Sequence, residues 1–228
     1  HDGAQADAGR FECRFDDANL KAARGLPLAD VGDIRFQALG QDGDFYHSQS
    51  FWRPGTPDAD RELRPGPVDR ARELLLGRRH HQGVVFGAEF APDAPGYCVG
   101  LRFGCRDEDR PSYRFTVEHL PGKGATNRER YCLTRITRGG ERRLEEWSRP
   151  VPETSRPEPV CLLADASTPG EVRLYRNGTA VLVHHRDGPL AGAAGVYVGP
   201  GTAAVVRHLE YRFDRPEVRQ EQPQRNEV

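Results

Sequence analysis

This 228-residue sequence has no methionine, almost no lysine, and a net charge of only −1 at neutral pH. So small a charge gives no global field to recruit nucleic acid or an anionic membrane. Of the 33 basic residues all but Lys21 and Lys123 are arginines. With 25 glycines and 18 prolines, the excess reads as a GC-rich coding bias rather than a nucleic-acid footprint. No apolar run approaches the roughly 18 residues of a membrane helix, so no membrane span is expected. The five cysteines (Cys13, Cys98, Cys105, Cys132, Cys161) contain no C-x-x-C pair, which argues against a zinc knuckle or a redox dithiol. Cys98 and Cys105 share one extended segment that holds them ~23 Å apart, outside disulfide reach. Buried free thiols are the plainer reading.

What is present is β-pattern. In Glu171–His185 two runs rich in β-branched residues flank Asn177-Gly178, the dipeptide best suited to a two-residue type I′ turn. Val172 and Leu174 alternate with Arg173 and Tyr175, and Val181 and Val183 alternate with Leu182 and His184. Gly195-Val-Tyr-Val-Gly199 follows, then a closing strand over 203–213 with Leu209, Tyr211 and Phe213 on one face. Earlier strands are predicted at 11–15, 34–39, 82–90, 97–105, 112–119, 131–137, 142–147 and 160–164. The first is expected to pair with the last, and Leu74–Leu76 reads as a further strand. Turn residues separate most of these, with no helices between them, which indicates one all-β antiparallel β-sandwich. The sandwich is expected over 11–214, after a flexible segment 1–10 and before a polar tail 215–228. Residues 40–67, rich in Gly, Pro and Asp, read as a long loop with one short strand and carry Tyr46, Phe51 and Trp52. The start HDGAQADAG has the polar, small-residue character that signal cleavage leaves, so a secreted or periplasmic location is expected.

From about Gly83 to Phe213 the layout resembles the concanavalin A-like lectin/glucanase superfamily, which includes laminin-G-like jelly rolls. The resemblance rests on Gly96-Tyr-Cys-Val-Gly-Leu-Arg-Phe103, Tyr131-Cys-Leu-Thr-Arg135 with Gly139-Gly140, the Val172–Gly178 hairpin arm, Gly195–Gly199 and His208-Leu-Glu-Tyr-Arg-Phe213. Within the superfamily it is most similar to the bacterial domain associated with 3-keto-disaccharide hydrolases, which shares this order. It implies a concanavalin A-like jelly roll and a function directed at glycans.

Retaining glucanases on this fold project neighbouring acids from one strand face, a Glu-x-Asp-x-Glu type of pattern. None occurs. Pro92 interrupts the strand between Glu89 and Asp93, Asp107-Glu108-Asp109 reads as a solvated turn tip, and Glu145 and Glu146 point to opposite faces. His80-His81 and His184-His185 likewise diverge, so neither pair chelates one ion. His1, as a free N-terminus, suits a copper brace, but no supporting pattern follows it. No catalytic residue, metal or cofactor is therefore assigned. Asn177-Gly-Thr179 is a glycosylation sequon, which the turn already explains. Tyr46, Phe51, Trp52 and Tyr113 are the expected ligand-binding residues, flat rings on which sugars stack; for Trp52 and Trp147 a place in the core is the alternative. The sequence thus points to a non-catalytic extracytoplasmic binding or accessory module for a glycan or a partner protein. A glycoside-acting enzyme of the 3-keto-disaccharide hydrolase type is the first alternative, and a structural subunit joining a larger assembly through its C-terminal tail is the second.

Overall fold

The computed structural model describes residues 10–14, 30–31, 34–39, 45–47, 63–65, 69–76, 82–106, 110–122, 126–152 and 156–214. His80-His81, Asp107–Asp109, Phe51, Trp52 and the polar tail lie outside them, as does the N-terminal segment up to residue 9. Every regular element among the described residues is a strand. In chain order these are β1 (Arg10–Arg14), β2 (Asp30–Val31), β3 (Ile34–Leu39), β4 (Phe45–His47), β5 (Leu63–Pro65), β6 (Arg72–Leu76), β7 (Gln82–Pro92) and β8 (Cys98–Cys105). Then come β9 (Ser112–Leu120), β10 (Asn127–Thr137), β11 (Gly140–Val151), β12 (Val160–Asp165), β13 (Glu171–Arg176), β14 (Thr179–His185), β15 (Ala193–Val198) and β16 (Ala204–Asp214).

Two eight-stranded antiparallel sheets face each other. The first runs β14-β13-β12-β7-β16-β5-β4, with β1 also on β16; the second runs β11-β10-β9-β8-β15-β6-β3-β2. Period-2 alternation makes this a sandwich. In β9, Tyr113, Phe115, Val117 and His119 are buried, while Arg114, Thr116 and Glu118 between them point outward. Phe86 and Phe90 of β7, Leu162 of β12, and Val172 and Leu174 of β13 meet Leu101, Phe115, Leu133 and Val196 of the second sheet in one core.

The sequence-based strands hold, including β6 and the pairing of β1 with β16. Asn177 (φ 48°) and Gly178 (φ 76°) take the left-handed angles of the I′ turn. Three features depart from the expectation. Residues 40–67 contain two short paired strands, β4 and β5. The β10–β11 hairpin extends to Asn127 and Val151; β11 is an edge strand, so Pro150, which has no N–H, is tolerated there. In the β13–β14 hairpin the register shifts after Leu174, so that Leu174 opposes Leu182 and Val172 opposes His184. That shift leaves Val183 on the outer surface, 41% exposed.

Candidate functional site on the outer face of the second sheet

Strand register places residues from distant parts of the chain in transverse rows on the outer face of the second sheet. One row runs Glu73 (β6), Tyr197 (β15), Gly100 (β8), Thr116 (β9), Cys132 (β10) and Glu146 (β11). The next runs Leu75, Gly195, Arg102, Arg114, Thr134 and Arg143 over the same strands. Arg102 and Arg114 are therefore direct cross-strand neighbours, a like-charge pair that needs compensation. Glu73 supplies it. Arg102 Nε donates to Glu73 Oε2 at 3.3 Å, and Arg114 Nη1 lies 3.8 Å from Glu73 Oε1. Arg114 also forks onto Glu141 of β11, with Nη1 donating to Oε1 at 3.0 Å, and Arg102 Nη1 donates to Ser112 Oγ at 2.8 Å.

The guanidinium of Arg114 lies over the ring of Tyr197, 4.6 Å from its centroid, within cation–π range. To get there it crosses β8 at Gly100, where no side chain stands in the way. A Cβ on Gly100 would also sit 2.3 Å from the Phe115 carbonyl oxygen, so the position has no room for alanine. Although Tyr197 points away from the core, it is only 8% exposed. Burial pushes its phenol up to about 12, aided by Cys98 and opposed by Arg114. Burial likewise raises the Cys98 thiol to about 12, with Glu118 adding to the effect.

The face thus presents guanidinium donors and carboxylate acceptors around an enclosed aromatic ring. A sugar hydroxyl both donates and accepts, so it can bond to either kind of group. Every carboxylate in these rows is engaged by an arginine, Glu73 by Arg102 and Arg114 and Glu146 by Arg143, and in the adjoining rows on either side Glu141 is engaged by Arg114 and Glu118 by Arg130. Glu73 and Glu141 converge on one atom, Arg114 Nη1, from β6 and β11.

Tyr113, expected at the ligand surface, points between the sheets at 6% exposure. Its ring stacks on Phe103 at 5.8 Å, with His184 and the Arg186 guanidinium beside it. Tyr46 lies on β4, but its side chain and all of Phe51 and Trp52 fall outside the described residues. Trp147 packs partly buried against the core, stacked on Tyr131 at 4.2 Å. Glu145 and Glu146 do point opposite ways: Glu145 Oε1 faces His184 Nδ1 at 3.4 Å inside, and Glu146 pairs with Arg143 outside. His185 is exposed. Among the described residues no three His, Cys, Asp or Glu side chains gather to hold a metal ion. Sequence reasoning missed Glu73, Arg102, Arg114 and Tyr197. Alternation within β8 and β9 does put each arginine on an outer face, but only the tertiary pairing makes them neighbours.

No protein-family model and no curated protein sequence matches the chain. Solved structures do. The carbohydrate-binding module CBM66 from Bacillus subtilis aligns over 78% of this chain and 94% of its own, with 12% identity and a TM-score of 0.54. A protein with a galectin-like fold from Bacillus subtilis covers 93% and 99% at 14% identity and TM-score 0.53. The Bacillus licheniformis beta-glucanase covers 91% and 99% at 12% identity and TM-score 0.52. The fold is the concanavalin A-like jelly roll. Within that jelly roll the charged rows occupy the outer side of the sheet whose edge is β11, while the other sheet turns Glu89, Cys161, Leu163 and Tyr175 outward.

Proposed function

We propose that this protein is a non-catalytic, extracytoplasmic glycan-binding module, secreted or periplasmic, that holds its ligand on the outer face of the second sheet. The observation that carries the reading is the Arg102–Glu73–Arg114–Glu141 network folded over the enclosed Tyr197. The concanavalin A-like fold, shared with a carbohydrate-binding module, supports it. Tyr46, Phe51 and Trp52 are the further aromatic candidates, and no metal or cofactor is called for. The test is a glycan array with and without EDTA. Saturable binding to one glycan class is expected, insensitive to EDTA and weakened by Arg114→Gln. An array with no bound glycan would sink the reading and redirect the search to a protein partner, followed by native mass spectrometry.

One observation favours a glycoside-acting enzyme as the second reading: two carboxylates converge on Arg114 Nη1. Paired carboxylates at close range are the machinery of glycoside hydrolysis. Turnover of a glycoside or 3-keto-glycoside that is lost in both Glu73→Gln and Glu141→Gln would establish it. Turnover surviving both changes would exclude these residues.

A further inference from the structure

A second polar group lies inside the sandwich, at the end opposite Tyr113. Glu129 of β10 is 2% exposed and points between the sheets. Its Oε1 accepts from Tyr97 Oη at 3.2 Å and from Arg176 Nη2 at 2.6 Å. Its Oε2 accepts from Tyr131 Oη at 2.6 Å and from Arg149 Nε and Nη2 at 3.3 and 2.9 Å. A carboxylate has about four lone-pair sites, so these five donors leave it no spare acceptor capacity.

Among the described residues, two buried donors in the same group nevertheless have no partner: Nε of Arg176 and Nε2 of His119. His119, 4% exposed, is the direct cross-strand neighbour of Glu129. Its ring lies 5.4 Å from that of Tyr97. Its Nδ1 accepts from the Gly96 N–H at 3.2 Å, which places the proton of the neutral ring on Nε2. Both unpartnered atoms are therefore donors. Leaving buried donors unmade is costly, and native structures satisfy nearly all of them with protein, water or ligand. Among the described residues the group also holds two guanidiniums, Arg149 and Arg176, against one carboxylate. Both donors call for an acceptor, and the charge balance favours an anionic one.

We propose that His119 Nε2–H and Arg176 Nε–H, the two unpartnered donors beside Tyr97 and Glu129, form a binding site for a small carboxylate, reached past Arg149, whose side chain is 43% exposed. The carboxylate accepts from His119 Nε2–H and Arg176 Nε–H while Glu129 keeps its five bonds, and it neutralises the second guanidinium. A fork-like planar anion suits these donors better than a neutral hydroxyl. The site stands apart from the outer face of the second sheet and does not rest on the glycan reading.

The test uses the isotope-labelled full chain and follows the His119 imidazole Nε2–H resonance during titration with acetate, glucuronate and neutral glucose. A saturable shift with acetate or glucuronate, absent with glucose, is expected. Acetate acting alone identifies a small free acid as the ligand, and glucuronate acting alone identifies an acidic sugar; either result supports the site. The Arg176→Lys variant keeps a cation facing Glu129 but removes Nε–H, so its Kd should rise at least about tenfold. Glycan-array binding by that variant should stay as in the parent, which separates failure of this site from failure of the outer face. The proposal is overturned if no carboxylate moves the resonance, if glucose moves it equally, or if Arg176→Lys binds as tightly as the parent. It is also overturned if a high-resolution structure in saturating carboxylate shows an ordered water alone bridging the two donors.

Discussion

Asn177 holds the hairpin turn and also ties it to the neighbouring strand. It adopts φ 48°; its Oδ1 accepts from Cys161 N–H at 2.7 Å, and its Nδ2 donates to the Pro159 carbonyl at 3.3 Å. Asn177→Ala removes both side-chain bonds and the tolerance for a left-handed backbone. A loss of about 1–3 kcal/mol is expected in urea denaturation, and an unchanged midpoint would refute this role. At the same scale, burial drives the Cys98 and Cys105 thiols up to about 12 and about 11. At pH 8 neither is a thiolate to any useful extent, so native-state alkylation mapped by peptide should leave both unmodified until the chain is unfolded. Rapid labelling of either would show that its strand opens. Tyr97 and Tyr197 are also raised to about 12, chiefly by burial, from 10.0. Their folded values exceed their unfolded ones, so the stability they contribute is complete below pH 10 and is lost as pH rises from 10 to 12. A denaturation midpoint flat across that interval would contradict it.

Among the elements, β8 and β10 have the most specific demands. Gly100 on β8 lets Arg114 reach Tyr197, and an added methyl would strike the Phe115 carbonyl. Gly100→Ala should cost about 1–3 kcal/mol as overpacking and weaken glycan binding together with Arg114→Gln. A variant of full stability and full binding would refute both roles. On β10, burial disfavours ionised Glu129, but hydrogen bonds from Tyr131 and Arg149 and the charge of Arg176 outweigh it, holding the carboxyl below its ordinary range. With the folded value lowered, its contribution is present above the unfolded value of 4.5 and is lost as pH falls below it. Glu129→Gln leaves two arginines facing no charge, and a loss of about 3–5 kcal/mol is expected from equilibrium unfolding. The strand is also a lesson in reading sequence. Asn127-Arg-Glu-Arg130 has no apolar residue to mark it as strand, and it belongs to β10 because Tyr97, Arg149 and Arg176 satisfy Glu129.

Across the whole molecule, Glu129 ties the sheets together, since Arg149 and Tyr131 reach it from the second sheet and Arg176 from the first. No covalent link assists among Cys98, Cys105, Cys132 and Cys161, all four of which are free. The unfolding midpoint should therefore be the same with and without reductant, and a fall on reduction would reveal a bridge. Local alternation and turn chemistry made most of the fold legible. Tyr113-Arg-Phe-Thr-Val117 declares a half-buried strand, and Asn177-Gly178 a hairpin, because side-chain direction in a strand and left-handed φ in a turn depend on neighbouring residues alone. Those same rules separated Glu145 from Glu146 and His184 from His185. Which strands lie side by side is another matter, because register between distant segments follows from burial of the common core. Glu73 meets Arg114 forty-one positions later, and Arg176 meets Glu129 forty-seven positions earlier, through sheet order that no local pattern encodes. The sequence by itself determined an antiparallel sandwich and its turns; the tertiary structure decided which charged residues share a face, and with them both candidate sites.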